Sequence, residues 1–265
     1  MRQRIRASDV PASVSARGVW RMGWIAAAAA VLVVGAGVSG LVLRLQPRIP
    51  SSPAERVATT GVGERLTIRL GDSSVVTLGP MSTIHYSATG RSVVLDVGIA
   101  DFNVLHRATR PFQVRAKNAL VTDLGTEFVV RAYSADSGVD VSVTSGEVTV
   151  SGGAADSVEL RSGDVANVTR DGRVARVASA STRTLAAWVQ GRLVFEDVPL
   201  GTVAAELNRW FDVKIRIPDR RLAGRRVSAV YNQPTLSGVL DAIAATLPVR
   251  YERADNVITI LPATR

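Results

Sequence analysis

From Glu64 to about Val177, apolar and polar residues exchange places every second position, in short runs separated by turn residues. "RLTIRL" alternates strictly, "GDSS" turns, and "VVTLG" resumes; "SVVLDV", "PFQVRA", "EFVVRAY", "VDVSVT" and "EVTV" follow the same rule. A period of two puts the apolar residues on one face of an extended chain. Val, Ile and Thr dominate these runs, as half-buried strands favour. Gly71, Gly90, Gly138, Gly146, Gly152, Gly163 and Gly172 mark the bends. With about ten residues per strand, the pattern predicts an all-β sandwich or barrel-like domain over 63–178. One stretch stands apart. In "NALVTDLGTEFVV" (Asn118–Val130) an apolar run is broken by Asp123, Gly125, Thr126 and Glu127. It reads as a bend between strands or as a catalytic site in which two carboxylates flank a Gly-Thr step.

Beyond residue 190 the period changes. "RLVFEDVPLGTVAAELNRWFDVKIRI" (Arg192–Ile217) aligns without a gap on "SAVYNQPTLSGVLDAIAATLPVRYER" (Ser228–Arg253) at an offset of 36 residues. Leu200 then matches Leu236, Val203 matches Val239, Leu207 matches Ile243, and Val213 matches Val249. Leu200, Val203, Ala204, Leu207 and Phe211 form a helix stripe. Pro199 and Pro234 suit a helix's first turn. Flanking strands are expected at 193–195, 213–217, 227–231 and 249–252, with a closing strand at 256–261. The prediction is a small two-layer α/β domain of two β-α-β repeats over 179–265. Its sheet edges either pair with a partner's strand or are protected by charges such as Lys214, Arg216 and Arg250.

Ahead of both lies "MGWIAAAAAVLVVGAGVSGLVL", which carries no charge. At about 1.5 Å per residue it reaches roughly 30 Å, one bilayer core. A transmembrane helix is expected over 22–43, with Trp20 and Trp24 at its interface. The apolar core is too long for a cleaved signal peptide, and no small-x-small site follows it. Five arginines precede it and sparser ones follow, which places 1–21 in the cytoplasm as a short tail and the bulk outside. Residues 44–62, with "QPRIPSSPAER", read as a linker. The expected location is a bacterial inner membrane, crossed once, with the C-terminal bulk in the periplasm.

Charge and composition change this picture little. The net charge is +9, and over half of the excess flanks the apolar segment. The remainder is nearly balanced, with no basic run, which argues against a nucleic-acid partner. No cysteine is present, so disulfides and thiolate metal sites are excluded. The two histidines, His85 and His106, fit no metal-ligand spacing. There is no phosphate loop, dinucleotide fingerprint or nucleophile elbow, which disfavours a hydrolase. Asp123 and Glu127 lie four apart, but Gly125 is expected to bend the chain between them. No cofactor or metal is implied.

The order of features, an anchor, a β domain and a repeated α/β domain, resembles the FecR family of transmembrane sigma-factor regulators. The likeness is carried by "GERLTIRLGDSSVVTLGPMSTIHY", "RPFQVRAKNALVTDLGTEFVV", "VDVSVTSGEVTV", "LRSGDVANV" and "WVQGRLVFEDVPLGTVAAELNRW", over about residues 60–262. There are departures. "LGDSSVVTL" replaces the usual Leu-x-Asp-Gly-Ser turn, and "VGIADFNV" lacks the acidic residue after its glycine. Family members carry a longer cytoplasmic helical domain that holds the sigma factor; here about 20 residues precede the apolar segment.

The resemblance implies a regulator that relays a signal from the signalling domain of an outer-membrane TonB-dependent transducer, in iron or siderophore uptake, to an extracytoplasmic-function sigma factor. Membrane proteases are the implied further partners. The short tail leaves the sigma-factor contact open and keeps a second reading alive, a membrane-anchored periplasmic binding scaffold. The resemblance places the transducer contact on the repeated domain, which is similar to the short N-terminal domain of secretins and transducers. The candidate residues are Leu200, Leu207, Val213, Ile215, Leu236 and Leu240. It also implies self-cleavage at Gly125–Thr126, with no turnover activity. The Thr126 hydroxyl neighbours the scissile carbonyl, so attack is intramolecular. The alternative is a tight bend whose hydroxyl bonds locally.

Overall fold

The alternating runs become a two-sheet structure whose apolar faces meet. In this computed structural model, residues 55–87, 90–153, 156–177 and 184–263 are described. The expected tail 1–21 and membrane segment 22–43 lie outside them. No helix among the described residues is long and apolar enough to cross a membrane.

The first sheet takes β1 (Glu55–Thr59), β4 (Thr83–Ser87), β5 (Ser92–Val97), β7 (Phe112–Ala116), β8 (Ala119–Asp123), β11 (Glu147–Ser151) and β12 (Ser157–Arg161), in that spatial order. The second takes β14 (Val174–Val177), β13 (Val165–Thr169), β10 (Gly138–Ser145), β9 (Glu127–Arg131), β6 (Ile99–Asn103), β3 (Val75–Leu78) and β2 (Leu66–Arg69). Neighbours are antiparallel except β5 and β7. Alternate residues of both sheets fill one core. Phe102 stacks on Phe128 at 5.1 Å and meets Phe112 of the other sheet at 6.1 Å. Truncating one such ring to alanine costs about 3–5 kcal/mol.

Two local expectations change. The last part of the expected linker is a strand, since β1 pairs with β4 from Glu55↔Ser87 to Thr59↔Thr83. Five residues beside a Pro/Ser stretch are too few for a period of two to stand out. Gly138 opens β10 instead of marking a bend. A Cβ there would sit 2.4 Å from the Val168 carbonyl, so glycine permits the close approach of β13.

The C-terminal module contains β15 (Arg192–Pro199), α1 (Leu200–Trp210), β16 (Lys214–Arg216), α2 (Arg220–Ala223), β17 (Arg226–Asn232), α3 (Leu236–Thr246), β18 (Val249–Ala254) and β19 (Val257–Pro262). Helices α1 and α3 start 36 residues apart and have equal length, as the repeat requires. The first strands of the repeats, β15 and β17, pair with each other. The second strands flank β19, β16 parallel and β18 antiparallel to it. The module therefore holds two small sheets. Pro199 and Pro234 stand just before the helices: Pro199 is the N-cap of α1, and Thr235 caps α3, its hydroxyl accepting from Gly238 N–H at 3.2 Å. The short α2 has no counterpart in the sequence reading and is capped by Asp219.

Candidate functional site

Strand β8 ends in the first sheet and β9 begins in the second, so Leu124–Thr126 is the crossover between them. The crossover is pinned on both sides by one segment. Val104 N–H donates to the Thr126 carbonyl at 2.9 Å, and Arg107 N–H donates to the Leu124 carbonyl at 2.8 Å. The buried Asp123 folds back to accept from Gly125 N–H at 2.8 Å. Gly125 holds φ +150, a conformation that L side chains rarely adopt. A Cβ there would lie 2.4 Å from His106 Cα and 2.7 Å from His106 Nδ1. Both the backbone angle and the close approach of His106 demand glycine.

Thr126 follows, 8 % exposed. Its Oγ1 is buried without a hydrogen-bond partner, and so is Asp123 Oδ2. Unpaired buried oxygens each cost about 1–3 kcal/mol. The local bond expected for the Thr126 hydroxyl, in the bland reading of the bend, is therefore not made. The two carboxylates separate. Asp123 closes the turn in the first sheet, whereas Glu127 opens β9 in the second. Glu127 instead acts on Asp101 of the adjacent β6, where the register sets Asp101 against Val129 and Asn103 against Glu127. Asp101 is pushed up to about 7, first by burial and then by the charge of Glu127.

A second constellation joins the sandwich to α1. Glu206, Arg209 and Trp210 share one face of α1, beside the core stripe of Leu200, Val203, Ala204 and Leu207, and Trp210 also packs against that core. Glu206 receives Arg131 Nη1 and Nη2 of β9 at 3.3 and 3.0 Å, Arg209 Nη1 at 2.8 Å and Trp210 Nε1 at 3.1 Å. Arg131 also donates to Asp136 at 2.9 Å. The ring of Tyr133 lies under both guanidinium groups, 4.8 Å from Arg131 and 4.1 Å from Arg209. Its hydroxyl donates to the Pro80 carbonyl at 2.7 Å. Around this centre Ile99, Val129, Tyr133 and Trp188 form an apolar cluster on the outer face of the second sheet. Burial alone would raise the Glu206 carboxyl, but the charges and hydrogen bonds of Arg131, Arg209 and Trp210 outweigh it and leave it lowered. The residues of α3 at the same repeat positions are Ala242, Ala245 and Thr246. The repeats thus diverge where only one helix meets the sandwich, a signal present in the alignment.

The six apolar residues proposed for partner contact lie inside the module. Leu200, Leu207, Ile215 and Leu240 are buried in its core, and Val213 and Leu236 pack against that core. Leu200, Leu207, Ile215 and Leu240 are therefore shielded from a partner that docks on the intact module, whereas Val213 and Leu236 are half-buried. The outer edges of the β15–β17 pair and of β16 and β18 carry no further strand among the described residues. His85 serves a surface pairing, with Nδ1 3.3 Å from Glu55 and Nε2 2.8 Å from Asp96. Among the described residues no group of histidines and carboxylates has the arrangement of a metal site.

The family model "FecR protein" matches residues 56–149, and "FecR, C-terminal" matches residues 192–260. Among solved structures, the 1.65 Å crystal structure of a candidate anti-sigma factor from Parabacteroides distasonis ATCC 8503 superposes with a TM-score of 0.71 at 26% identity, covering 79% of this chain and 100% of that one. A second, at 2.50 Å, gives the same TM-score and identity over 80% of this chain. No curated protein matches.

Proposed function

The chain belongs to the FecR family, and we propose that it is a regulator of a sigma factor, anchored in the bacterial inner membrane with its two modules in the periplasm. The observation that carries this reading is the match of both family models, one on each module, together with a fold shared at 26% identity with a candidate anti-sigma factor. The uncharged segment at 22–43 supports the anchor.

In this reading the signal enters at the C-terminal module. A transducer's signalling domain adds a strand to an open edge of the module, using backbone hydrogen bonds, while Leu200, Leu207, Val213, Ile215, Leu236 and Leu240 hold the edge in shape from behind. The Glu206 centre joins the module to β9, which begins two residues after Gly125. Strain at the module therefore reaches the crossover through one strand. The decisive experiment is co-capture. Full-length chain should retain the signalling domain of a transducer and a sigma factor encoded beside it. Retention of the signalling domain without any sigma factor would favour the membrane-anchored scaffold instead.

The crossover supports self-cleavage as the response. Thr126 Oγ1 attacks the Gly125 carbonyl carbon, the C–N bond breaks, and the Thr126 nitrogen takes the hydroxyl proton. The resulting ester is hydrolysed by water to a Gly125 carboxylate and a free Thr126 amine. The unpartnered hydroxyl and the φ +150 backbone at Gly125 favour this step. Purified wild type should run as two fragments on a denaturing gel and Thr126→Ala as one. Intact bands from both would show that the strained bend is structural.

A further inference from the structure

A cleft of about 530 Å³ opens where the loop before β2 meets the start of the C-terminal module and the end of α1. Its walls carry two guanidinium groups, Arg65 and Arg192, two carboxamides, Gln190 and Gln233, and two aromatic rings, Trp210 and Phe211. No carboxylate lines it. The shielded arginines are matched by carboxylates, Arg91 by Asp72, Arg131 by Asp136 and Glu206, and Arg209 by Glu206, whereas Arg65 is exposed and Arg192 half-buried. Among the described residues Arg65 and Arg192 form no ion pair. Arg65 Nη1 donates to the Trp188 carbonyl at 3.3 Å, and Arg192 Nη2 donates to Gln190 Oε1 at 2.8 Å. Arg192 Nε is buried without a partner. A guanidinium has five N–H donors, so most of their capacity is unspent.

Arg65 and Gln233 both approach Gly191, the residue before Arg192. A Cβ on Gly191, next to Arg192, would lie 4.0 Å from Arg65 Nη1 and 3.9 Å from Gln233 Cγ. The negative pole at the end of α1 would repel an anion, but Gly63 N–H closes it by donating to the Arg209 carbonyl at 2.9 Å. The volume falls in the range of small-molecule sites, and the half-buried Trp210 and Phe211 offer apolar walls beside the cationic end. We infer that this cleft binds a small carboxylate with an apolar body. The carboxylate takes the N–H groups of Arg65 and Arg192, with the carboxamides at its flanks, and the body lies on Trp210 and Phe211. Such a ligand bridges the sandwich, through Arg65, and the C-terminal module, through Arg192. Its binding therefore stabilises their docking by mass action.

Calorimetric titration of the full-length chain in lipid nanodiscs tests this, with cyclohexanecarboxylate as probe. Saturable binding of one equivalent is expected. Cyclohexanecarboxamide, which keeps the body without the charge, and inorganic phosphate, which keeps a charge without the body, should each bind at least about tenfold more weakly. Arg65→Gln, at an exposed position, should weaken the carboxylate by a similar factor while the thermal melt stays unchanged; Arg192→Gln should do the same. No saturable heat with the carboxylate would overturn the site. Equal binding of the carboxamide would overturn the role of the arginines, and equal binding of phosphate would overturn the apolar body.

Discussion

At the scale of single residues, the carboxylates illustrate how position in a fold sets chemistry. Asp123 and Glu127 are neighbours in sequence, yet one ends a strand of the first sheet and the other begins a strand of the second. Asp101, unremarkable in the sequence, becomes the perturbed acid because β6 sets it beside Glu127 under the outer cover of the sheet. Folded Asp101 keeps its proton up to about pH 7, whereas the unfolded chain releases it near the ordinary 3.8. The unfolded state thus binds fewer protons through this window, and stability falls as pH rises across it. Asp101→Asn should remove that fall. Urea midpoints should show the variant gaining on wild type between pH 4.5 and 7.5, by on the order of 2–4 kcal/mol at the upper end. A difference independent of pH would place the effect elsewhere. Gly125 and Thr126 were visible in the sequence as a break in an apolar run. The φ of +150 and the unpartnered hydroxyl were not, because both come from β8 and β9 belonging to different sheets.

Among the elements, α1 carries two loads and α3 one. The apolar stripe shared by the repeats builds the module's core, and the unshared face of α1 docks on β9. The stripe was readable from the 3.6-residue period, and the docking face from the places where the alignment breaks. That Glu206 would meet Arg131 was not readable, since the two are separated by 75 residues. Glu206 is held below its ordinary range, so its contribution is present above that range and is lost as pH falls through its folded value. Glu206→Ala leaves Arg131 and Arg209 sharing only Asp136, and should lower stability at pH 7 by about 3 kcal/mol. The gap between variant and wild type should narrow in acid, as pH falls below the ordinary glutamate range. Thermal melts at neutral pH and in acid check this, and a gap that persists in acid would assign the effect to lost packing.

On the scale of the whole molecule, the two modules share an apolar face that packs them together. Ile99, Val129 and Tyr133 belong to the sandwich but are covered by Trp188 and its neighbours. A chain ended at Val177 should expose them and bind a hydrophobic dye such as ANS more strongly than the full chain. Equal dye binding would mean that the C-terminal module covers little. By itself, the sequence determined the class of the two described modules. Local periodicity is imposed by the geometry of strand and helix, so a period of two, a period of 3.6 and a 36-residue repeat each announced its element. The tertiary structure alone decided which strands became neighbours, and so the crossover at Gly125, the Asp101–Glu127 pair, the Glu206 centre and the cleft with two unmatched arginines. These are contacts between residues far apart in the chain. They are set by how two sheets and a helix bury their faces together, and no local pattern encodes them.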